Sequence, residues 1–211
     1  HQVYKDNEEL REVWGNDYHW KIAKITEAVA ATQGKIITYS DQPITPAFFS
    51  TSNGYTENSE DYWQNELPYL RTVASPWDEE LSPRFIDQTI FTEKELEEKL
   101  EIQLNGGNSN IQLERTESKR VAKATMAGST FTGREIREKL NLPSNDFTIT
   151  QKDNHYVFTT KGYGHGVGMS QYGANGMAKE GKTHEEIISY YYQGAEISTL
   201  EQATPTLLAK K

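Results

Sequence analysis

Between Gly162 and Gly173 the chain reads Gly-Tyr-Gly-His-Gly-Val-Gly-Met-Ser-Gln-Tyr-Gly, setting an imidazole, a hydroxyl, an amide and two phenols among glycines. Glycine lets a backbone take positive φ and approach a partner closely, which makes His165, Gly166, Ser170, Gln171 and Tyr172 candidate ligand contacts. A helix expected from Met169 to Lys179 would aim its positive end at that ligand, with Ser170 and Gln171 in the first turn. A second polar stretch, Ser50-Thr-Ser-Asn-Gly-Tyr-Thr-Glu-Asn-Ser-Glu-Asp-Tyr-Trp63, crowds hydroxyls, amides and rings behind an apolar run. That mixture suits a carbohydrate, whose C–H faces stack on rings and whose hydroxyls take polar contacts in pairs. Each stretch alone also has a plainer reading, as a tightly packed glycine loop and as a solvated Ser/Thr/Asn loop.

Other chemistries are less well served. Glu57, Glu60 and Asp61 could supply paired carboxylates to a glycosidic bond, but a local acidic run is more commonly a solvated face or a helix start. The five histidines have no His-Glu-x-x-His spacing and there is no cysteine, so neither a metal, nor a disulfide, nor any cofactor is expected. The glycines do not follow the dinucleotide order cleanly, and Met169 and Gln171 stand where a hydrolase elbow would place glycines around its serine. A formal net charge of -9 disfavours a nucleic-acid partner. No run approaches the roughly 18 apolar residues of a membrane span, and no secretion signal is visible. The first residue is His1, so a mature product, a proteolytic fragment or a truncated piece is expected.

The elements that would hold these residues follow from pattern. Ile22, Ile25, Val29 and Ala30 recur at helical spacing and predict an amphipathic helix over 20–32 with that stripe buried, capped by Asn16 or Asp17 and ended by Gly34. Lys35 to Ser40, a turn at Asp41-Gln42-Pro43, and Ile44 to Ser50 predict a hairpin. Thr92, Thr132 and Thr183 are each followed three residues on by glutamate, so each predicts a capping box and a helix start. The first helix would run to about Glu101 and dissolve into a loop over 105–110. The second would turn Ile136 and Leu140 inward and stop at Pro143, and the third would bury Ile187, Ile188, Tyr191 and Tyr192. Strands are predicted over 111–115, 121–125, 147–150 and 155–160, the last two joined by a turn at Lys152-Asp153-Asn154. The fold class is α+β, with short strands in mixed sheets and several capped helices, neither doubly wound nor a barrel. The expected organisation is a core part over 1–81, a smaller and more charged α+β subdomain over 82–154, a second core part over 155–200 and a frayed tail over 201–211.

The same residues carry a resemblance. Gly162 through Ala178, then Gly181-Lys-Thr-His-Glu-Glu-Ile-Ile and Tyr190-Tyr-Tyr-Gln-Gly-Ala-Glu-Ile, closely resemble the C-terminal signature of the stage II sporulation protein D family. Phe49-Ser-Thr-Ser-Asn-Gly-Tyr-Thr-Glu-Asn, Pro68-Tyr-Leu-Arg-Thr-Val and Ser75-Pro-Trp-Asp resemble its middle signature. His1-Gln-Val-Tyr and Thr132-Gly-Arg-Glu-Ile-Arg-Glu-Lys-Leu fit as well, so the likeness covers nearly the whole chain. The family's Ser-Thr-Ser-Gly-Gly run has Asn53 at its first glycine position, a residue that tolerates left-handed backbone.

The resemblance implies a lytic transglycosylase that cleaves peptidoglycan glycan strands freed of stem peptides, leaving 1,6-anhydro products. It further implies export across the mother-cell membrane during engulfment, an N-terminal membrane anchor, and other engulfment cell-wall proteins as partners. One glutamate would act first as acid and then as base, which requires a carboxylate protonated near neutral pH. In the family that glutamate precedes the Gln-Val-Tyr segment and is followed by methionine. Met126, Met169 and Met177 here follow Thr125, Gly168 and Gly176, so the catalytic acid is expected upstream of His1 and none is assigned in the chain. Family members with a cysteine- and histidine-bound zinc offer no parallel in a chain without cysteine. The site expected is a groove with Ser50, Thr51, Ser52, Asn53 and Tyr55 on one wall and His165, Gly166, Ser170, Gln171 and Tyr172 on the other. In it the hydroxyls would bind sugar, Tyr55 and Tyr172 would stack, and His165, Ser170 and Gln171 would orient the glycan. The alternative is a glycan-binding or amidase-enhancing domain without catalysis.

Overall fold

The computed structural model describes residues 4–104 and 111–203. It resolves into two compact units, His1–Pro43 with Ile197–Lys211, and Ile44–Glu196. The division expected at 82 and 154 falls inside the second of these, and the loop expected over 105–110 lies outside the described residues.

In the first unit, α1 (Asn7–Trp14) starts at a capping box between Asp6 and Glu9, a helix not among those expected from the sequence. A 3-10 turn, Gly15–Asp17, leads into α2 (Tyr18–Ala31). Its expected buried stripe is not buried. Ile25 and Val29 are 47% and 64% exposed, and Tyr18 is the buried residue of the helix, with the Arg11 guanidinium 4.8 Å over its ring. The Asp17 side chain makes no capping bond to the helix backbone, because it accepts from the Trp20 indole and pairs with Lys21 instead. The hairpin that follows is tighter than expected. Strand β1 (Lys35–Tyr39) pairs antiparallel with β2 (Gln42–Pro43) across Ser40 and Asp41, both at positive φ, so two residues assigned to the turn form the return strand.

The second unit begins with β3 (Phe48–Phe49), α3 (Ser59–Tyr62) and α4 (Trp77–Leu81). An α+β layer follows: β4 (Ile86–Thr92), α5 (Glu93–Leu100), β5 (Gln112–Arg115), β6 (Val121–Met126), β7 (Ser129–Thr132), α6 (Gly133–Leu140), β8 (Phe147–Lys152) and β9 (His155–Lys161). Its strands form two antiparallel sheets, β4-β9-β8 and β5-β6-β7. Strand β9 alternates, burying Tyr156, Phe158 and Thr160. Those rings join Leu96 and Leu100 from α5 and Ile136 and Leu140 from α6 in one apolar core. Both helices begin at the expected capping boxes, Thr92 with Glu95 and Thr132 with Glu135. The second ends at Asn141 in left-handed conformation, two residues before the proline expected to stop it.

Strand β10 (Met169–Ser170), α7 (Gln171–Lys179) and α8 (His184–Tyr191) complete this unit, and α8 starts at the third expected capping box. Ile187, Tyr191 and Tyr192 are buried, while Ile188 is half-buried. The chain then returns through β11 (Glu196–Thr199) beside β1 in the order β11-β1-β2, followed by α9 (Leu200–Ala203). The architecture of the described residues is α+β, with several short antiparallel sheets, one parallel pair of two-residue strands and no closed barrel. No helix among the described residues is long and apolar enough to cross a membrane.

Candidate functional site

The two polar stretches meet, though not as facing walls. Strands β3 and β10 pair in parallel, Thr51 bridges Tyr163, and Glu57 bridges Val167, so the stretches are bonded edge to edge into one surface. The glycines permit this approach. At Gly168, φ is +80° and an added Cβ would lie 2.0 Å from the Ala47 carbonyl oxygen, so no side chain fits there. At Gly166 the same atom would lie 2.5 Å from the Arg120 guanidinium carbon. The close partner these glycines admit is the protein itself.

Several expected sugar contacts are turned inward. Thr51 bonds Ser82 at 2.8 Å, and the Ser52 hydroxyl donates to the Ser75 carbonyl. The Asn53 amide donates to the Ser118 carbonyl and to Asp146. Ser170 donates to Asp78 and accepts from the Gly173 N–H as the N-cap of α7, so it lies just before the helix that was expected to begin at Met169. Thr51, Ser52, Asn53 and Ser170 are buried. Asp78, itself buried, also accepts from the Ser52 N–H at 2.7 Å and from the Ser75 hydroxyl at 2.6 Å, and Ser75 bonds the Tyr191 hydroxyl. This network holds the surface together from behind. Of the other expected residues, Ser50, Tyr55 and Tyr172 are half-buried and Gln171 is exposed. Lys119 sits 4.8 Å over the Tyr55 ring.

Beneath the surface lies a charged pair. Glu57 is fully buried and accepts from Thr116 at 3.0 Å. Burial pushes its carboxyl up, against the pull of the Arg120 charge and of hydrogen bonds from Ser118 and Thr116. Arg120, 1% exposed, donates to the Ser118 hydroxyl and the Tyr55 carbonyl, each at 3.0 Å, and burial lowers its own pKa. The neighbouring Glu60 is different. Hydrogen bonds from the Arg71 guanidinium hold its carboxyl down to about 2.

What reaches the surface is aromatic. His165 sits among Phe49, Tyr62 and Trp63 with ring centroids 5.7, 5.8 and 5.4 Å away. Tyr62 and Trp63 pack edge to face, and all three of His165, Tyr62 and Trp63 are half-buried. From α6, Arg137 donates to the Tyr62 hydroxyl at 2.7 Å and the Arg134 guanidinium lies 5.1 Å over the Tyr62 ring. Tyr62 and Trp63 close the second polar stretch, yet only their proximity to His165 distinguishes them from the aromatic residues around them. One histidine nitrogen is held by the loop itself. Nδ1 accepts from the Val167 N–H at 3.1 Å. Burial first, and the Arg137 charge second, push its pKa down to about 4. The imidazole is neutral at physiological pH and packs among these rings.

That state has a measurable consequence. The unfolded chain takes up a proton on His165 near pH 6.5, and the folded chain resists until about pH 4. The contribution of this residue is therefore complete above pH 6.5 and is lost as pH falls towards 4. Between pH 7 and pH 5 it is expected to cost about 2 kcal/mol, and His165→Gln should remove that part of the pH dependence in denaturant titrations. An imidazole NMR titration with a midpoint near 6.5 would contradict it.

Among the described residues no group of three or more His, Asp or Glu side chains converges to hold a metal ion. Comparison with known proteins adds the family. Residues 8–168 match the family described as Domain of unknown function (DUF8618). The full chain is 51% identical to "Stage II sporulation protein D" of Bacillus subtilis (strain 168) and 49% identical to the protein of that name from Bacillus amyloliquefaciens. It spans 61% of the length of each. A more distant likeness, 25% over 89% of this chain and 34% of the relative, is to the "Amidase enhancer" of Bacillus subtilis (strain 168). The match over residues 8–168 shows the family, and the end-to-end likeness to the two stage II sporulation proteins D agrees with the signatures woven together at this surface: the chain belongs to the DUF8618 family.

Proposed function

We propose that this chain is the glycan-binding part of a sporulation cell-wall enzyme, a lytic transglycosylase acting on peptidoglycan strands that lack stem peptides and forming 1,6-anhydro ends. The observation that carries the reading is the half-buried cluster of Tyr62, Trp63 and His165, a stacking platform of the kind that pyranose rings use. Ser50, Tyr55, Gln171 and Tyr172 would add polar and stacking contacts, while Thr51, Ser52, Asn53, Gly166 and Ser170 fix the frame.

The acid comes from outside these 211 residues. Glu57 has the raised pKa a general acid needs but is wholly buried, and Glu60 is held ionised by Arg71. In this reading the enzyme works on the outer side of the mother-cell membrane at the septum, tethered by an N-terminal segment, alongside other engulfment cell-wall proteins. The likeness to an amidase enhancer favours a second reading, a binding module that assists a separate amidase.

Mass spectrometry of peptide-free strands decides between them. A full-length relative is expected to generate 1,6-anhydro ends and the 211-residue chain to generate none. Anhydro ends from this chain alone would return the acid to it, with Glu57 the first residue to replace. No anhydro ends from either, with stimulation of an amidase, would establish the second reading.

A further inference from the structure

We infer that strand β4 is a homodimerisation edge, along which a second copy of this chain pairs antiparallel about Gln88 and joins the two β4-β9-β8 sheets into one continuous sheet. Strand β4 closes its sheet on one side, and among the described residues no further strand pairs with it. Its register with β9 runs unbroken from Ile86 to Thr92, without the bulge, proline or lysine that usually blunts an edge. The hydrogen-bond phase is fixed at both ends. The Gly162 N–H donates to the Phe85 carbonyl and the Glu93 N–H to the Asn154 carbonyl, so the odd-numbered residues turn their peptide groups towards β9. Those of Ile86, Gln88 and Ile90 therefore face outwards, and the Gln88 N–H is taken by the neighbouring Asp87 carboxylate at 2.7 Å. The opposite edge of the sheet is already engaged, since Arg115 donates to the Phe147 carbonyl of β8 at 2.9 Å.

The order of residues along this edge selects a second copy as its partner. Phe85-Ile-Asp-Gln-Thr-Ile-Phe91 reads the same in both directions apart from Asp87 and Thr89. Paired about Gln88, each Ile86 lies opposite Ile90 of the other copy and Gln88 lies opposite itself, with the peptide groups of all the outward-facing residues in bonding register. Ile86 and Ile90 are exposed in the single chain, so the pairing also covers apolar surface. Asp87 falls opposite Thr89, whose hydroxyl replaces the N–H that the carboxylate gives up. The adjacent registers fit worse. Pairing about Asp87 opposes two carboxylates, and pairing about Thr89 sets Asp87 against Phe91. An interface confined to one edge gives a weak dimer whose population depends on concentration.

Sedimentation equilibrium of the 211-residue chain tests this. The average mass of the wild type is expected to climb from one copy towards two as concentration rises through the micromolar range. Gln88→Pro, which removes an outward N–H that β9 does not use, should weaken association roughly tenfold or more, and so should Ile86→Lys or Ile90→Glu alone. The two isoleucine variants change exposed side chains, so they carry the test should Gln88→Pro fold poorly. Mixing Ile86→Lys with Ile90→Glu should restore association, because pairing about Gln88 sets the lysine of one copy against the glutamate of the other. A wild type that stays monomeric at every concentration, a dimer indifferent to these substitutions, or a mixture that associates no better than its components would each overturn the inference.

Discussion

Replacing Gly173 with alanine is expected to lower the stability of the chain by about 3 kcal/mol, although alanine is the better helix former by about 1 kcal/mol. Gly173 lies in α7 where the helix meets the Asp78 network. An added Cβ would fall 2.0 Å from the Tyr191 hydroxyl, 2.2 Å from the Ser75 hydroxyl and 2.8 Å from an Asp78 carboxylate oxygen. Making room for it separates groups that now bond each other at 2.6 and 2.7 Å in the buried interior. Each buried polar group left unmet costs about 1–3 kcal/mol, and at least two are affected. Gly181 is the control. Its φ is +87° but nothing lies within 4 Å of the added atom, so Gly181→Ala should cost about 1–2 kcal/mol of backbone strain alone. In thermal unfolding the first variant should melt roughly 6–12 °C below wild type, and the second clearly less. A Gly173→Ala protein that melts higher, as helix propensity alone would have it, would mean that α7 does not pack on the network as described.

The same glycines mark the limit of what could be read from sequence. Their spacing revealed a loop that makes close approaches, and the structure agrees, but spacing is silent on whether the partner is a ligand or the chain. Here it is Ala47, Arg120 and Tyr191. Local signals were legible because their physics is local: the threonine-glutamate capping boxes at Thr92, Thr132 and Thr183 set three helix starts. The apolar stripe of α2 has the same periodicity, yet Ile25, Val29 and Ala30 are exposed and Ile22 only half-buried, because a period shows which residues share a face and not whether anything covers it. Strand β4 went unpredicted, and its pairing with β9 arises from a partner more than sixty residues away. The hydroxyls of Thr51, Ser52 and Ser170 have the chemistry to bind sugar, and only tertiary structure shows them already bound to Ser82, Ser75 and Asp78. Trp63 and Tyr62 stood at the end of the stretch that suggested a carbohydrate, and it is the fold that brings His165 beside them.

The second large effect falls on Trp63 and reaches the centre of the account. Its ring is half-buried and packs on His165 and Tyr62 at the surface, outside the buried core, so its loss should leave the fold intact. Removing a stacking ring from the middle of a binding surface typically costs 2 kcal/mol or more, roughly a thirtyfold loss of affinity. The Asp78 network and the charged pair beneath are untouched by the change, which separates binding from stability. The decisive measurement is the affinity of peptide-free glycan strands for the wild-type chain and for Trp63→Ala, each checked for an unchanged melting temperature. The account predicts clear binding by the first and a loss of at least tenfold in the second. Equal affinity in two equally stable proteins would place the glycan elsewhere and contradict it.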